Sequence, residues 1–375
     1  MKVAIDAGPL SSGHSVRGVG VYTRNLVNHV RQKTPGLQGF KFQIDSFDFN
    51  LNPERLSKYD LLHYPYFDLF FHTLPIKMPN KTVVTVHDVI PLIYPNHYPP
   101  GVKGKINFYL QKLALKKVDA VITDTETSKK DIVRFLDIPQ EKIQVIYLAP
   151  HSIFKPITNY KSLVKVRNKY NIPKTFALYV GDINYNKNIP GLIRACEIAK
   201  VPLVISGKQA QEIDEGGLGF DVLSGPHDWF RFIFNIPHPE LSHKQEILDQ
   251  FKENKNILRL GFVSDNDLVA IYNLAAVYCQ PSFYEGFGLP ILEAMACGCP
   301  VVSAKTQALV EIAQGAAIFA DPKSPENMAC KLKKVVSSSS LQSKYKKLGL
   351  SHVKKFSWEK TAKLTLNVYK EVLSR

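Results

Sequence analysis

Two glutamates, Glu285 and Glu293, bracket a glycine-containing turn with seven residues between them. Helical sequence with a proline at its start, Pro290, follows the turn and contains the second glutamate. The free backbone N–H groups at this helix start, around Gly288 and Leu289, carry the positive end of the helix dipole and favour an anionic ligand. Phosphate repels carboxylates, so both glutamates are better explained as acceptors of hydrogen bonds from hydroxyl groups, as in ribose binding. The passage therefore predicts a diphosphate site flanked by two acids that bind hydroxyls.

The segment from Glu285 to Glu293 resembles the E-x7-E signature of the retaining GT-B glycosyltransferases of family 4, and the resemblance extends along nearly the whole chain. In that family the first glutamate contacts the transferred sugar and the second holds the ribose of a sugar nucleotide. The resemblance implies these roles for Glu285 and Glu293, and nucleotide contacts for Phe287, Gly288 and Leu289. The alternative interpretation is a helix cap with incidental acids.

A second strand-loop-helix passage, which opens the second half of the chain, resembles the glycine-then-lysine element of the same family. The resemblance implies that Lys187 neutralises the leaving diphosphate, where a positioned cation supplies several kcal/mol of transition-state stabilisation. Family members often carry an arginine just after the glycine or just before the lysine, and this chain has Asp182 and Asn186 there. Lys208 or Arg259 would then have to supply a further cation. The alternative is that Lys187 is a solvated surface lysine.

In the first half, His87 and Asp88 end a strand-like run that begins at Val83. Ligands of open α/β sheets bind at the carboxyl ends of strands. The passage resembles the His-Asp element of the family, which implies that His87 contacts the donor sugar and that Asp88 orients it. Gly18 and Gly20 open a helix after the first strand, and a glycine turn there contacts the diphosphate in the family. The alternatives are a structural histidine and a plain helix entry.

The loops that contain Gly207, Phe262 and Val263 follow two strand-like runs of the second half, and we expect them to contact the nucleobase. No residue pattern requires a metal ion. The run Asp265-Asn266-Asp267 imitates the D-x-D metal motif of other glycosyltransferases, but it precedes helical sequence, where Ser264 and Asp265 suit an N-cap.

The charge of the chain is strongly basic but evenly spread: 48 basic and 33 acidic side chains give a formal charge of +15 over 375 residues. An even positive field suits phosphorylated small molecules or an anionic membrane. A nucleic-acid binder is disfavoured because aromatic residues interleaved with clustered basic ones are missing. No apolar run approaches the roughly 18 residues that span a bilayer, and no secretory signal is recognisable. We expect a cytoplasmic protein, with peripheral contact at the inner membrane face as an alternative.

One helical segment, from Lys103 to Val118, carries a stripe of lysines, at positions 105, 112 and 116, opposite Ile106, Tyr109 and Leu113. Such a stripe could lie on anionic lipid. A solvated helix face is the plainer interpretation of the lysines. The sequence leaves both open.

Strand-like runs alternate with helical sequence along both halves of the chain, which predicts an α/β fold with parallel sheets. The strand-like runs are Val3–Asp6, Lys41–Ser46, Thr82–Asp88, Ala120–Thr125, Ile143–Leu148, Phe176–Gly181, Leu203–Gly207, Ile257–Val263, Val277–Pro281 and Pro300–Ser303. The family resemblance implies a GT-B architecture, in which two Rossmann-like domains face an interdomain cleft. Prolines at both ends of the segment that connects the two halves place the predicted domain boundary near Pro173.

The predicted ranges are 1–172 for the acceptor-side domain, 173–356 for the sugar-nucleotide-binding domain, and 357–375 for a terminal helix that packs back on the first domain. Residues 214–243 interrupt the alternation with glycines, prolines and aromatic residues. A segment this long within a compact domain tends to be functional, so an acceptor or membrane contact and a decorative insertion are both open.

Taken together, these patterns predict a metal-independent retaining glycosyltransferase. It would move a hexose of mannose or glucose type from a GDP-, UDP- or ADP-sugar to a hydroxyl of a glycan, lipid-linked or small-molecule acceptor, with no nucleic-acid partner. The departing phosphate would itself accept the acceptor's proton, so the resemblance requires no glycosidase-type pair of carboxylates. The alternative is a catalytically silent GT-B partner that binds a sugar nucleotide or glycan and regulates another enzyme. Asp182 and Asn186, in place of the expected arginine, keep that alternative open.

Overall fold

The computed structural model describes residues 1–11, 18–33, 42–78, 80–213 and 239–375. Contacts between residues divide the chain into two compact units. Unit 1 comprises residues 1–95, 99–149 and 356–375, and unit 2 comprises residues 96–98 and 150–355. Most of the predicted 214–243 insertion, residues 214–238, lies outside the described residues.

Unit 1 is built on a six-stranded sheet in which every pairing is parallel, with the strand order β2-β1-β3-β4-β5-β6. The strands are β1 (Lys2–Asp6), β2 (Gln43–Phe47), β3 (Leu61–Tyr64), β4 (Lys81–Thr85), β5 (Ala120–Thr123) and β6 (Ile143–Val145). The helices among them are α1 (Gly8–Ser11), α2 (Gly18–Lys33), α3 (Ile90–Ile93), α4 (Gly101–Lys116) and α5 (Glu126–Leu136). Strands β3 and β5 are buried along their whole length, including the polar side chains of His63 on β3 and Thr123 on β5.

Unit 2 repeats this plan with a second six-stranded parallel sheet, in the order β12-β11-β10-β7-β8-β9. The strands are β7 (Ala177–Val180), β8 (Leu203–Ser206), β9 (Ile257–Gly261), β10 (Val277–Gln280), β11 (Val301–Ala304) and β12 (Ile318–Ala320). The helices are α6 (Tyr160–Lys169), α7 (Ile189–Ala199), α8 (Lys208–Glu212), α9 (Pro239–Glu253), α10 (Asp265–Leu274), α11 (Leu289–Ala296), α12 (Gln307–Ala313), α13 (Pro325–Val336) and α14 (Ser339–His352).

The strand order of unit 2 reverses between β7 and β10, which are hydrogen-bonded neighbours although β8 and β9 lie between them in sequence. The loops that leave the carboxyl ends of two such strands run to opposite sides and open a crevice, where ligands of parallel α/β sheets bind. The loops after β7 and β10 are the two that contain Lys187 and Glu285. The topology therefore places both predicted residues at the switch point of this sheet.

The last helix, α15 (Trp358–Ser374), belongs to unit 1, although unit 2 precedes it in sequence. Its first turn is capped by Ser357, whose hydroxyl accepts a hydrogen bond from the Lys360 amide. The buried Trp358 lies 6.1 Å from the ring of Tyr22 on α2, and the Tyr369 hydroxyl lies 2.6 Å from Nδ1 of the buried His63 on β3. The helix thus completes the core of unit 1.

Residues 150–172, which the sequence assigns to the first domain, are grouped with unit 2 in the structure. Their contacts explain this, because Asn273 on α10 accepts a hydrogen bond from the Ile157 amide (2.8 Å) and donates one to the Lys155 carbonyl (3.0 Å). Tyr170, at the end of α6, also donates to the Asp267 carboxylate at 2.8 Å. Prolines mark both ends of this segment in the sequence, but they do not indicate which unit the segment packs on.

None of the helices in the described part of the chain combines the length and the apolar character that a bilayer-spanning helix needs.

Candidate active site

A buried ion pair between Lys187 and Glu285 lies at the switch point of unit 2. The Lys187 Nζ atom is 2.9 Å from Oε1 and 2.8 Å from Oε2 of Glu285. Ser282 Oγ and Gln280 Nε2 also donate to Oε1, at 2.6 and 2.7 Å. Only 8% of the Glu285 side chain and 21% of the Lys187 side chain are exposed. A desolvated ion pair is tolerated when further hydrogen bonds satisfy its atoms, as they do here.

The local structure around Lys187 depends on Asn186. Tyr185–Lys187 form a single 3-10 turn after β7, and Asn186 is almost fully buried inside it. The Asn186 amide group donates to the Tyr284 carbonyl (3.0 Å), next to Glu285, and its oxygen accepts from the Tyr98 hydroxyl (2.7 Å). Asn186 therefore holds the loop after β7 to the loop after β10, so the position where the resemblance suggested an arginine has a structural role.

The two cations suggested as replacements for that arginine have partners elsewhere in unit 2. Lys208 Nζ lies 3.3 Å from Glu212 on the same helix, and its side chain is mostly exposed. Arg259 donates to the Ala210 carbonyl at 3.2 Å, and its guanidinium lies over the Phe251 ring at 4.8 Å. Lys187 is thus the cation that the structure places beside Glu285.

The turn before α11 requires glycine at position 288. Gly288 has a φ of +91°, and a Cβ atom there would lie 2.6 Å from the Leu309 side chain. Pro290 follows within the first helical turn, where a missing N–H costs no hydrogen bond. Phe287 is buried and Leu289 is half-buried. Glycine at position 288 therefore sets the backbone of the turn that leads into the free N–H groups of the α11 start, the kind of site that favours an anion.

Glu293, on α11, has a different environment from Glu285. Its Oε2 atom accepts a hydrogen bond from the Tyr272 hydroxyl at 3.0 Å. Burial raises the pKa of Glu293 to about 7, and the charge of Asp265 adds to this, while the Tyr272 hydrogen bond opposes it. Both glutamates lie near the buried Tyr278. Burial is the main cause of the raised pKa of Tyr278, and the charges of Glu285 and Glu293 raise it further. The two acids thus lie in one neighbourhood around Tyr278.

A Glu293→Gln variant tests this environment through the pH dependence of stability. Because the pKa of Glu293 is raised from 4.5 to about 7 in the folded chain, the folded state binds its proton more tightly than the unfolded state. The wild-type free energy of unfolding should therefore fall as the pH rises from about 4.5 to about 7, by at most about 3 kcal/mol from this group. In Glu293→Gln this component of the slope should disappear, as measured by urea denaturation between about pH 4.5 and pH 8.

Glu326→Gln, on the exposed start of α13, is the matched control, since its carboxylate accepts a hydrogen bond from Ser324 at the protein surface. We expect this variant to keep the wild-type slope. An unchanged slope in Glu293→Gln would contradict the buried, proton-retaining environment of Glu293.

Glycines also bring the carboxyl ends of β7, β8 and β9 together. A Cβ atom on Gly207 would clash with the Gly181 carbonyl oxygen, and the Gly207 amide donates to the Gly261 carbonyl at 2.9 Å. Just beyond β9, Phe262 is 65% exposed, whereas Val263 is buried. Of the residues predicted to meet a nucleobase, Phe262 therefore has a side chain available for stacking, and Val263 packs in the protein.

In unit 1, His87 is held by a carboxylate that the sequence analysis did not identify. Its Nδ1 atom lies 2.7 Å from Oδ2 of Asp124, and its Nε2 atom lies 3.2 Å from the Pro65 carbonyl oxygen. Burial lowers the pKa of His87, but the Asp124 charge and hydrogen bond, helped by Asp88 and the Pro65 carbonyl, more than offset it, so the net shift is upward. Both ring nitrogens face acceptors, as in a doubly protonated imidazole.

The prediction that Asp88 orients His87 is wrong, because the carboxylate in contact with the His87 ring belongs to Asp124. Asp88 Oδ1 accepts a hydrogen bond from the Ile90 amide at 3.0 Å and so turns toward the start of α3. Asp124 follows β5, the neighbour of β4 in the sheet, which brings its carboxylate to the end of the strand that precedes His87. The negative charge of Asp88 contributes to the raised pKa of His87.

Gly18 and Gly20 lie at the start of α2 in unit 1. Gly18 is exposed, with no described atom within 4 Å of a Cβ built on it, and Gly20 is buried. Among the described residues, nothing blocks the approach of a ligand to the Gly18 backbone. The preceding residues, 12–17, are outside the described part of the chain.

The D-x-D run has a structural explanation. Ser264 caps α10, its hydroxyl accepting from the Asp267 amide at 3.3 Å, and Asp267 pairs with Lys169 at 2.7 Å. Within the described ranges, no three His, Cys, Asp or Glu side chains are grouped as a metal site would need. Asp265 and Asp267 are accounted for by the helix start.

Two family models match the chain over most of its length. Glycosyl transferases group 1 matches residues 164–351, which contain Lys187, Glu285 and Glu293, and Glycosyltransferase Family 4 matches residues 13–149, which contain His87. The chain belongs to the glycosyl transferases group 1 family. The family predicted from the E-x7-E passage is therefore confirmed, and this group 1 chain is a glycosyltransferase.

Relatives of this glycosyltransferase include O-antigen chain mannosyltransferase B of Escherichia coli, 30% identical over 81% of this chain and 75% of the relative. O-antigen chain mannosyltransferase RfbU of Salmonella typhimurium is 25% identical over 70% of this chain and 63% of that protein. The chain covers only about a third (34%) of another Escherichia coli relative, serotype-specific mannosyltransferase WbdA, at 27% identity over 79% of this chain.

Solved glycosyltransferase structures share the fold. Sucrose-phosphate synthase from Thermosynechococcus elongatus superposes with a TM-score of 0.70 at 17% identity, covering 100% of this chain and 99% of that one. Anabaena HepE, in complex with UDP and glucose, gives a TM-score of 0.69 at 15% identity and covers 99% of this chain and all of its own. Together with the two parallel sheets, these neighbours confirm the predicted α/β fold of GT-B type.

Proposed function

We propose that this glycosyltransferase moves a hexose of mannose or glucose type from a nucleoside-diphosphate sugar to an acceptor hydroxyl with retention of anomeric configuration. The observation that carries the proposal is the buried Lys187–Glu285 pair beside the α11 helix start at the switch point of unit 2. The mannosyltransferase names of its relatives support mannose as the hexose, and the HepE complexes with UDP and glucose and with UDP-glucose support a nucleotide-sugar donor.

In the proposed complex, the diphosphate binds at the N–H groups of the α11 start, with Lys187 as its cation. Gly288 allows the left-handed turn that leads into this helix start, and the helix dipole adds a partial positive charge. Glu293 accepts hydrogen bonds from the ribose hydroxyls, and Phe262, which is largely exposed after β9, stacks against the base.

Lys187 changes partner in the proposed donor complex. In the structure its ammonium group is satisfied by the Glu285 carboxylate. A diphosphate carries more negative charge than one carboxylate, so Lys187 moves toward it when the donor binds. Glu285 then has acceptor capacity free for a hydroxyl of the transferred hexose, while Ser282 and Gln280 keep its carboxylate in place.

In the proposed reaction, the bond between the anomeric carbon and the phosphate oxygen breaks while the acceptor oxygen bonds to the same carbon from the same face. The acceptor hydroxyl proton passes to the departing phosphate oxygen. Charge develops on the diphosphate, where Lys187 and the helix start stabilise it, the task that a metal ion performs in other glycosyltransferases. We propose that these groups suffice without a metal ion.

The names of two relatives support a proposal for the acceptor class. Two of them are named O-antigen chain mannosyltransferases, which supports an acceptor hydroxyl on a growing polysaccharide, either free or lipid-linked. His87, in unit 1, is proposed to contact the transferred hexose, held in one orientation by Asp124.

The test is a timed assay of nucleoside-diphosphate release from GDP-mannose, GDP-glucose, UDP-glucose and ADP-glucose, with and without mannose-terminated acceptors. We expect release to depend on the acceptor, to be fastest with a mannose donor, and to persist in a chelator. NMR of the product should show the anomeric configuration of the donor. Binding of a donor without release would favour the catalytically silent alternative, and inversion would contradict the proposed chemistry.

A further inference from the structure

Helix α4, Gly101–Lys116, is apolar on two opposite faces. Its inner face packs in unit 1, where Ala114 and Leu115 are fully buried and Gln111 bonds to the backbone of Leu74 at both its amide and its carbonyl. Its outer face carries large apolar side chains that are mostly exposed: Val102 (71%), Ile106 (58%), Tyr109 (67%) and Leu113 (57%). Their spacing of four, three and four residues places them on one side of the helix.

This outer stripe is not explained by folding. Single exposed apolar residues are common on protein surfaces, but four of them aligned along three turns of one helix form a continuous patch. A patch of this kind, surrounded by polar residues, marks an interaction site. Burial of the inner face is sufficient to hold α4 on unit 1. The outer stripe is not needed for this packing and calls for another explanation.

The flanks of the stripe are positively charged. Residues 101–117 contain five lysines and no acidic residue. Lys105, Lys112 and Lys116 lie beside the stripe on one side, not opposite it as the sequence analysis placed them, and Lys103 and Lys117 lie on the other side. Asp137, at the end of α5, contacts Lys112 (2.8 Å) and Lys116 (3.4 Å) and offsets one charge on the first side. Every charge that α4 itself contributes to this face is positive.

We propose that the outer face of α4 is a docking surface for an anionic lipid bilayer. In this arrangement, Val102, Ile106, Tyr109 and Leu113 enter the boundary between headgroups and acyl chains, and the flanking lysines contact lipid phosphates. A helix lying in the membrane plane with an apolar face and lysines beside it binds through these two contributions together. Tyrosine suits this depth, because its ring is apolar and its hydroxyl reaches the headgroups.

Charge complementarity favours a bilayer over a second copy of the chain. A symmetric dimer through α4 would bring the lysines of both copies together, and each chain carries a net charge of +15. An anionic surface instead attracts every lysine on the two flanks, at about 1 kcal/mol for each one near the surface. The inference does not depend on the proposed reaction, since it concerns only a surface of unit 1.

The test is co-sedimentation of the full chain with vesicles of phosphatidylcholine alone and of phosphatidylcholine mixed with phosphatidylglycerol. We expect binding to the anionic vesicles only, weakening as salt is added because surface charges are screened. An Ile106→Ser/Leu113→Ser variant should bind at least about ten-fold more weakly, because each exposed side chain loses apolar contact with the bilayer. Lys105→Glu should weaken binding about ten-fold or more through two lost units of charge.

The matched controls are Leu51→Ser, which removes a side chain that is 75% exposed elsewhere in unit 1, and Lys130→Glu, which makes the same charge change on the exposed side of α5. Both should bind vesicles like the wild type. Because the substituted side chains are exposed, all variants should keep the wild-type thermal unfolding midpoint. Equal binding of the stripe and control variants, or no binding of the wild type to anionic vesicles, overturns the proposal. A dimer in sedimentation analysis that the stripe variant loses, without vesicle binding, assigns the face to a second copy instead.

Discussion

Replacing Lys187 by alanine is expected to lower the rate of hexosyl transfer by about 10²- to 10³-fold. In the proposed reaction, this ammonium group is the side-chain cation nearest the leaving diphosphate, and loss of one preorganised charge-stabilising group costs about 3 to 4 kcal/mol in the transition state. The effect should appear mainly in kcat, because charge on the leaving group develops as the bond breaks. Steady-state kinetics with the preferred donor and acceptor measure it.

The same substitution also removes the partner of a buried carboxylate, so its effect on folding must be separated. Glu285 keeps the hydrogen bonds from Ser282 and Gln280, and we expect the free energy of unfolding to fall by about 1 to 3 kcal/mol. Kinetics are therefore measured at a temperature where urea denaturation shows each variant fully folded. Turnover lost only in proportion to the unfolded fraction would contradict the role of Lys187.

Lys169→Ala is the matched control for this experiment. Lys169 forms an ion pair of similar length with Asp267 in the same unit, at 2.7 Å, but more than half of its side chain is exposed. An exposed pair of this kind contributes about 0 to 1 kcal/mol to stability, and neither residue lies at the switch point. We expect wild-type turnover in Lys169→Ala, and a comparable loss in both variants would show that the effect is not specific to the site.

The sequence predicted the architecture of the candidate site well where strong local signals follow one another. The run from Val277 to Gly298 contains an apolar strand, a glycine turn, a proline at the helix start and a glycine at its end, and the structure has β10, the turn at Gly288 and α11 in the same places. Each of these signals acts within a few residues, so no tertiary information is needed to interpret it.

Two strands escaped the sequence analysis for a physical reason. The strand β3, Leu61–Tyr64, contains no β-branched residue, and β12, Ile318–Ala320, has only three residues. Neither segment shows the alternation of apolar and polar residues that identifies a strand in the sequence. Both form because a neighbouring strand offers a hydrogen-bonding edge, β1 and β4 for the first and β11 for the second.

The hydrogen-bonding partners of the predicted residues were missed for a related reason. Asp124 lies 37 residues after His87, and Gln280 and Ser282 reach Glu285 only because the turn folds back on the end of β10. A signal for Asp124 was nevertheless present, since it lies at the end of a strand-like run just as His87 does. Using it required the order of strands in the sheet, which local sequence does not encode.

Helix α4 shows a different limit of prediction from sequence. Its apolar residues were easy to recognise, but periodicity alone could not tell which of them face the core. Gln111, a polar residue, is buried, whereas Ile106, Tyr109 and Leu113 are exposed. The glutamine satisfies the backbone of Leu74 inside unit 1, and this one tertiary contact reverses the orientation that hydrophobicity suggests.

Replacing Asp124 by asparagine is expected to change the pH dependence of both stability and transfer. The pKa of His87 in the folded chain is raised above its ordinary 6.5, so the His87–Asp124 pair contributes fully below pH 6.5 and its contribution is lost as the pH rises through the raised pKa. The asparagine side chain would retain the shape but not the charge. Burial, the largest influence on the pKa of His87 and one that lowers it, would then be opposed only by the Asp88 charge and the Pro65 carbonyl. We expect the free energy of unfolding at about pH 6 to fall by about 2 kcal/mol.

Between the lowered pKa of His87 and its ordinary 6.5, the sign of the slope should reverse: stability of Asp124→Asn should rise with pH, because the neutral ring is then favoured in the folded chain. At about pH 7 the rate of transfer should fall at least about ten-fold, since in the proposed complex a reoriented or neutral imidazole no longer makes the same contact with the hexose. Urea denaturation from about pH 5.5 to pH 8.5 and kcat over the same range measure the two effects.

Asp88→Asn makes the same chemical change next to the same histidine and serves as the control. Its carboxylate caps α3 through the Ile90 amide, a hydrogen bond that asparagine accepts equally well, and it acts on His87 through its charge. We therefore expect a small change in stability and a pH profile close to that of the wild type. If Asp88→Asn and Asp124→Asn altered the pH profile alike, the general negative charge near His87 would be responsible. The specific 2.7 Å contact with Asp124 would then not be what determines the protonation of the ring.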